Sequence, residues 1–112
     1  MIRFAVPALV LLIATPVAAA SFDCARAKAP DEKAICATRA LNDADVKLTT
    51  LYQVDGHLMA MGARGDMQDA QRSWLKRRQA CKGNVACLTK AYTDRLADLQ
   101  AAFDGIASRG PF

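Results

Sequence analysis

The sequence has few of the residue types from which most active sites and cofactor sites are built. It contains one histidine, His57, one tryptophan and two tyrosines in 112 residues. No second imidazole, motif serine or group of carboxylates accompanies His57, so no catalytic constellation is visible. We therefore expect a protein that is not an enzyme and that has no resident cofactor, with His57 as a surface residue.

The four cysteines lack the spacing of a redox or metal site. Cys81 and Cys87 are six residues apart, whereas a redox motif has the spacing C-x-x-C. No nearby histidine or second closely spaced pair completes a zinc site, so we predict no bound metal.

Long apolar runs are also scarce, and the longest is too short to span a bilayer. Residues 4–14 are almost all apolar, follow one cation, Arg3, and lead to three alanines that end at Ala20. A spanning helix needs roughly 20 apolar residues, whereas a cleaved signal peptide has this shorter pattern. We expect residues 1–20 to be removed, leaving one domain, residues 21–112, that is periplasmic or secreted and has no stable membrane insertion.

The expected mature domain is small enough to need covalent staples. It has 92 residues, and its 14 basic against 11 acidic residues give a net charge of +3. A chain of this size has a marginal core. An even number of cysteines in an oxidising compartment favours two disulfides. Three pairings are open to four cysteines, and their spacing favours the local pairs Cys24 with Cys36 and Cys81 with Cys87.

Apolar residues recur at steps of three and four, the period of amphipathic helices, and no strand-like alternation is present. Pro30 suits the start of a short first helix. A second helix starts at Leu41 and either ends near Asp55 or continues weakly to Met61, before a turn at residues 62–66.

Asp66 and Asn84 are the predicted caps of a third and a fourth helix. Helices joined by short links pack antiparallel. The predicted fold class is all-α, a small antiparallel helical bundle of three main helices plus a short N-terminal helix, stapled by two disulfides.

Four charged residues fall on helix faces that are otherwise apolar. At 100° per residue, Asp45 and Asp55 lie on the apolar face of the second helix, Arg78 on that of the third and Arg95 on that of the fourth. A buried unpaired charge is costly, so we predict that Asp45 pairs with Arg78 or Arg95 at the rim of the core. The same faces supply the expected core aromatic residues, which are Tyr52, Trp74, Tyr92 and Phe103.

The basic residues of the third helix form only a modest patch. Arg72 and Lys76 point away from Trp74, which makes a solvated face the simplest interpretation. Nucleic-acid binding needs more charge and exposed aromatic residues, and export also argues against it. An anionic envelope polymer or lipid headgroup is the functional alternative for this face.

Four stretches of the sequence resemble a known family. The stretches FDCARAKAPDEKAICA, LNDADVKLTTLY, QRSWLKRRQAC and CLTKAYTDRLADL are similar to the N-terminal domain of the LprI-like lysozyme-inhibitor family of bacterial envelope proteins. The matching stretches cover nearly the whole expected mature chain, and only residues 56–65 depart from the continuous helix that the resemblance implies. The matching positions are Cys24, Pro30, Cys36, Leu41, Asp45, Leu48, Tyr52, Gln71, Trp74, Leu75, Arg78, Cys81, Cys87, Leu88, Tyr92, Arg95, Leu96 and Leu99.

The resemblance implies an exported, disulfide-stapled helical domain whose partner is a lysozyme. In one form of this hypothesis, the segment from His57 to Asp66 enters the sugar cleft, where His57 or Arg64 faces the two catalytic carboxylates. The alternative function is a non-enzymatic envelope module that binds an anionic surface polymer or another envelope protein. Its basic contact residues would include Arg72 and Lys76.

Overall fold

Helices account for nearly all of the regular structure in the computed structural model, which describes Met1 and residues 20–110. A 3₁₀ turn, Cys24–Arg26, is followed by α1 (Pro30–Ala37), α2 (Arg39–Leu58), α3 (Met61–Ala80) and α4 (Val85–Ala107). The described residues contain no strand, so the all-α prediction is confirmed. Residues 2–19 of the predicted signal peptide lie outside the described residues.

The starts of α1 and α4 follow local sequence signals. Pro30 occupies the first turn of α1 together with Asp31 and Glu32, where the helix dipole favours acidic side chains. α4 starts after Asn84, whose side-chain oxygen accepts a hydrogen bond from the backbone N of Cys87 at 2.9 Å. This contact confirms the predicted cap of the last helix.

Both disulfides join cysteines that are close in sequence, as the spacing predicted. Cys24 pairs with Cys36 and Cys81 pairs with Cys87, with Cα separations of 5.8 and 5.5 Å. The first bond fastens the 3₁₀ turn to α1, and the second closes the link between α3 and α4. Within that link Lys82 has a φ of 51°, a left-handed conformation that lets the chain turn between the two helices.

The link between α2 and α3 is shorter than predicted. The predicted turn at residues 62–66 was wrong, because these residues form the first turns of α3 and Asp66 lies inside that helix, not at its cap. The chain reverses instead at Met59 and Ala60, whose ψ angles are 147° and 161°. A Cβ atom at either Gly62 or Gly65 would meet no other atom within 4 Å, so neither glycine is required for the reversal.

Helix α2 continues through Gly56 to Leu58. A Cβ atom at Gly56 would lie 3.4 Å from Met67 Cε, an ordinary van der Waals contact, so the packing against α3 accepts glycine without requiring it. Arg64 then closes the end of α2. Its Nε donates to the Gly56 carbonyl at 2.6 Å and its Nη2 to the Met59 carbonyl at 3.1 Å. These bonds satisfy carbonyls that a helix end leaves unpaired.

The core lies mainly between α2 and α4, and α1 and α3 pack against this pair. Trp74 and Tyr92 are buried, and the half-buried Tyr52 packs against this core. Phe103 is also half-buried, but it is not among the residues that pack against the core, so it is not the core aromatic residue predicted from the sequence. The buried core cluster consists of Ile35, Leu41, Leu48, Met67, Trp74, Cys81, Leu88, Tyr92 and Leu99.

Candidate partner-binding surface

A cluster of charged and polar side chains is buried where the four helices meet. Arg78 Nε donates to Asp31 Oδ2 at 2.9 Å, and Arg78 Nη1 lies 3.9 Å from Asp45 Oδ1. The Tyr92 hydroxyl donates to Asp45 Oδ1 at 2.7 Å. The side chains of Arg78, Asp31 and Asp45 are 7, 2 and 2 % exposed. The cluster therefore couples α1, α2, α3 and α4 through polar contacts shielded from water.

The electrostatics of this cluster keep Arg78 charged and Tyr92 neutral. Burial opposes the charge on Arg78, while the hydrogen bond from Arg78 to Asp31 and the negative charge of Asp31 favour it, and the pKa of Arg78 lies above its ordinary value. Burial, followed by the hydrogen bond to Asp45, raises the pKa of Tyr92 well above that of a free phenol. Tyr92 thus acts as a neutral hydrogen-bond donor, and Arg78 is the cation between two acids.

Arg95 has a different environment from Arg78. It is 6 % exposed, and its Nε donates to Gln71 Oε1 at 3.0 Å. Burial lowers its pKa below the ordinary value, with a partly compensating contribution from Asp98. The arginine that approaches Asp45 is therefore Arg78, whereas Arg95 connects α4 to the amide of Gln71 on α3.

Asp55 is the most isolated of the buried acids in the described part of the chain. It is 0 % exposed, and neither carboxylate oxygen has a hydrogen-bond partner among the described residues. Burial raises the pKa of Asp55, and the charge of Arg95 lowers it only in part. An unpaired buried carboxylate of this kind costs stability whenever it is ionised.

Replacement of Asp55 by asparagine is expected to remove a pH dependence of stability. Because the folded pKa lies above the unfolded value, the folded state holds the proton more tightly, and the free energy of unfolding falls as pH rises from about 4 towards neutrality. Asp55→Asn lacks this loss and should gain stability relative to the wild type as pH increases. Urea unfolding across this range measures the difference. Asp43→Asn, an exposed change on the same helix, is the control, and wild-type and Asp55→Asn curves that stay parallel would disprove the effect.

Apolar side chains project from the corner between α2 and α3, which we define as residues 54–61 and call the helical corner. Met61 is 87 % exposed, Leu58 42 % and Val54 38 %. His57, also exposed, lies between them in sequence. Isolated exposed apolar residues are common, but three of them within eight residues make the helical corner a candidate contact surface.

Two concave surfaces flank the helical corner. A cleft of about 190 Å³ lies between α2 and α3 and is lined by residues that include Tyr52, His57 and Arg64. A wider groove of about 530 Å³ lies between the corner and the end of α4, with Leu58 and Ile106 among its walls. Both concave surfaces are open to solvent, so a partner bound at the helical corner would contact at least one of them.

The predicted site residues separate into two groups in the structure. His57 is exposed, but the guanidinium of Arg64 is half-buried and hydrogen-bonded to the end of α2. Arg72 and Lys76 are exposed on α3, and Arg72 forms an ion pair with Asp69 one turn earlier. His57 and Arg64 therefore line the same cleft, but Arg64 is held by the end of α2 and the two do not form a pair of free side chains at a loop tip.

Two important residues were not predicted from the sequence. Asp31 is the close partner of Arg78, although its place after Pro30 indicated only a favourable helix start. Asp55, by contrast, was placed on the apolar face of α2 by its helical period, and it is buried there. Met61 projects because α3 starts there, and no pattern in the sequence marked that start.

Among the described residues, no cluster of three or more histidine, cysteine or acidic side chains could hold a metal ion. None of the helices in this part of the chain is long and apolar enough to cross a membrane.

The cysteine positions and the helix pattern also match a known family model. The matching family is described as lysozyme inhibitor LprI, and the match covers residues 24–99. This range contains both disulfides, all of α1, α2 and α3 and most of α4. No curated protein and no solved structure matches the chain. Because the match extends over more than half of the sequence, the chain belongs to the LprI lysozyme-inhibitor family.

Proposed function

We propose that residues 21–112 form an exported, non-enzymatic protein that inhibits a lysozyme by binding to it. The observation that carries this proposal is the family match over residues 24–99. Two disulfides support an oxidising location, in the periplasm or outside the cell. The chain acts by occupying a surface of its partner, and it supplies no catalytic group of its own.

The helical corner is the proposed contact. Binding energy at interfaces is concentrated in a few side chains that become fully desolvated, and Met61 and Leu58 have the most apolar surface to lose at this corner. A protruding corner also has the right shape for a concave substrate cleft. Arg64 supports this shape from inside by pinning the end of α2, which leaves His57 as the exposed residue of the predicted pair.

The net charge of the chain determines how its binding to a lysozyme should depend on salt. The expected mature chain carries a net charge of +3, so a cationic lysozyme would be repelled at long range. Binding must therefore depend on burial of apolar surface at close range. Such a contact weakens little when salt is added, because screening acts mainly on exposed charges.

The exposed pair Arg72 and Lys76 favours a second function, binding of an anionic envelope polymer. The ion pair between Arg72 and Asp69 reduces the free positive charge of this face. Polymer binding of this type would weaken steeply with ionic strength. Charge reversal by Lys76→Glu would abolish it while leaving the helical corner intact.

A titration of lysozyme activity tests the proposed function. The oxidised chain Ser21 to Phe112 is added to a panel of lysozymes of different types at low and at physiological salt. The expected result is stoichiometric inhibition of at least one type that changes little with salt and is retained by Lys76→Glu. Lack of inhibition by a folded, fully oxidised sample would contradict the proposal, and steep salt-dependent polymer binding lost in Lys76→Glu would support the second function.

A further inference from the structure

The backbone nitrogen of Ser21 lies at the edge of the buried charge cluster, and Ser21 itself is exposed. This nitrogen donates to Asp45 Oδ2 at 2.6 Å, while Asp45 Oδ1 accepts from the Tyr92 hydroxyl at 2.7 Å. The cation of the cluster is closer to the other acid, because Arg78 lies 2.9 Å from Asp31 and 3.9 Å from Asp45. Both oxygens of Asp45 are therefore held chiefly by neutral donors.

The charges of the cluster do not balance. Asp31 from α1 and Asp45 from α2 face Arg78 from α3, while Tyr92 from α4 contributes a neutral hydroxyl. The start of α1 helps to stabilise Asp31, since a helix N-terminus favours negative charge. Asp45 lies within α2 and has no such help. One negative charge thus remains without a close cation in a site shielded from water.

Ser21 is also the first residue after the expected signal-peptide cleavage site. We propose that cleavage after Ala20 converts the Ser21 nitrogen that contacts Asp45 into an ammonium group, which forms an ion pair with Asp45 and neutralises the cluster. Hydrolysis adds water across the bond between the Ala20 carbonyl and the Ser21 nitrogen. The carboxylate leaves with the signal peptide, and the released amine takes up a proton. The hydrogen bond in the structure becomes charge-assisted without movement of the chain.

This arrangement makes removal of the signal peptide a stabilising step. Before cleavage the amide of Ser21 donates a neutral hydrogen bond, and the cluster keeps its excess negative charge. After cleavage the charges of Asp31, Asp45, Arg78 and Ser21 sum to zero. The mature protein therefore gains stability that the precursor lacks, and the gain requires cleavage at this peptide bond, not one residue away.

The position of the new N-terminus is the first test. Mass spectrometry of the protein exported from cells that express the full chain should give a mature form that starts at Ser21. A start at any other residue would overturn the proposal, because the amine would then lie away from Asp45.

The charge of the amine is tested by semisynthesis, which Cys24 makes practical. A synthetic thioester of residues 21–23, with a free or an acetylated amine, is ligated to a recombinant chain that begins at Cys24 and is then refolded with oxidation. Near pH 6 the free amine should raise the folding equilibrium constant about tenfold over the acetylated form. In a chain that starts at Ala20, the amide of Ser21 keeps its hydrogen bond to Asp45, but the ammonium group lies one residue away. The stability of this chain should resemble that of the acetylated form.

Dependence on Asp45 and on pH completes the test. In Asp45→Asn the free and acetylated forms should have equal stability. If Asp45→Asn lowers the stability of both forms, their folded fractions can still be compared at several urea concentrations. An ion pair raises the pKa of the folded amine, so the advantage of the free amine is full below the unfolded pKa and is lost as pH rises through the folded one. Equal stability of the free and acetylated wild-type chains, or an advantage that persists in Asp45→Asn, would overturn the proposal.

Discussion

Replacement of Arg78 by methionine is expected to lower the free energy of unfolding by about 3–5 kcal/mol, the usual cost of breaking a buried ion pair from one side. The change leaves Asp31 and Asp45 together in a site where their side chains are only 2 % exposed. Methionine replaces only the aliphatic stem of Arg78. It also removes the contacts of the guanidinium carbon with two aromatic rings, whose centroids lie 5.7 Å (Phe22) and 5.8 Å (Trp74) away. The loss therefore combines the uncompensated acids with a smaller contribution from these cation–π contacts. Urea unfolding followed by circular dichroism measures it.

Arg72→Met is the matched control, because Arg72 lies on the same helix and pairs with Asp69 at the surface. Both of those side chains are more than two-thirds exposed, and such pairs contribute about 0–1 kcal/mol. Asp31→Asn combined with Arg78→Met should recover part of the stability lost in Arg78→Met, since it removes the carboxylate that lies closest to Arg78. A loss below about 1 kcal/mol in Arg78→Met would contradict the role assigned to the cluster.

Trp74→Ala is expected to destabilise the chain by about 3–5 kcal/mol, as large-to-small changes of buried aromatic residues do. Trp74 is 2 % exposed, and its ring meets that of Tyr92 edge-on with centroids 5.1 Å apart. Its Nε1 donates to the Ala91 carbonyl at 2.9 Å, which joins α3 to α4. A domain of this size has roughly 5–15 kcal/mol of stability in total, so a considerable fraction of it depends on this residue.

The helical signal in circular dichroism is the appropriate measure, because the variant lacks the tryptophan that fluorescence would follow. Trp74→Phe keeps an aromatic ring but loses the hydrogen bond to Ala91, and its loss of stability should fall between those of the wild type and Trp74→Ala. An alanine variant within about 1 kcal/mol of the wild type would show that Trp74 is not a core contact between α3 and α4.

The sequence predicted the features that depend on local chemistry. Asn84 caps α4 because its side chain reaches a free backbone amide three residues later, and Pro30 starts α1 because it needs no hydrogen-bond donor there. The two disulfides join near neighbours, so spacing was a sufficient guide to their pairing. Burial of Trp74 and Tyr92 followed from their positions on apolar helix faces.

The features that the sequence did not predict depend on contacts between helices. Glycines at 62 and 65 indicated a turn, but the reversal occurs at Met59 and Ala60, where Arg64 binds the end of α2. Asp31 carries an obvious local role at the start of α1, which hid its contact with Arg78. Tertiary contacts of this kind override local propensity, and residue periodicity contains no information about them.

The observed position of the chain reversal between α2 and α3 also changes the hypothesis about the binding site. The hypothesis from the sequence was that the segment from His57 to Asp66, with a turn at residues 62–66, enters the lysozyme cleft with His57 or Arg64. The structure has instead two long helices joined by two residues, with Arg64 used internally and Met61 projecting. We therefore expect a rigid and largely apolar contact, for which charge complementarity is secondary.

One matched pair of variants tests this contact most directly. Met61 and Val85 are exposed apolar residues that begin α3 and α4, respectively, where an aspartate is compatible with the helix start. Twenty residues of α3 separate the two ends by roughly 30 Å. Inhibition constants of Met61→Asp and Val85→Asp are compared against the lysozyme that the wild type inhibits best. We expect a loss of tenfold or more for Met61→Asp and about twofold or less for Val85→Asp. Equal losses, a larger loss for Val85→Asp, or no inhibition by the oxidised wild type would contradict binding through the helical corner.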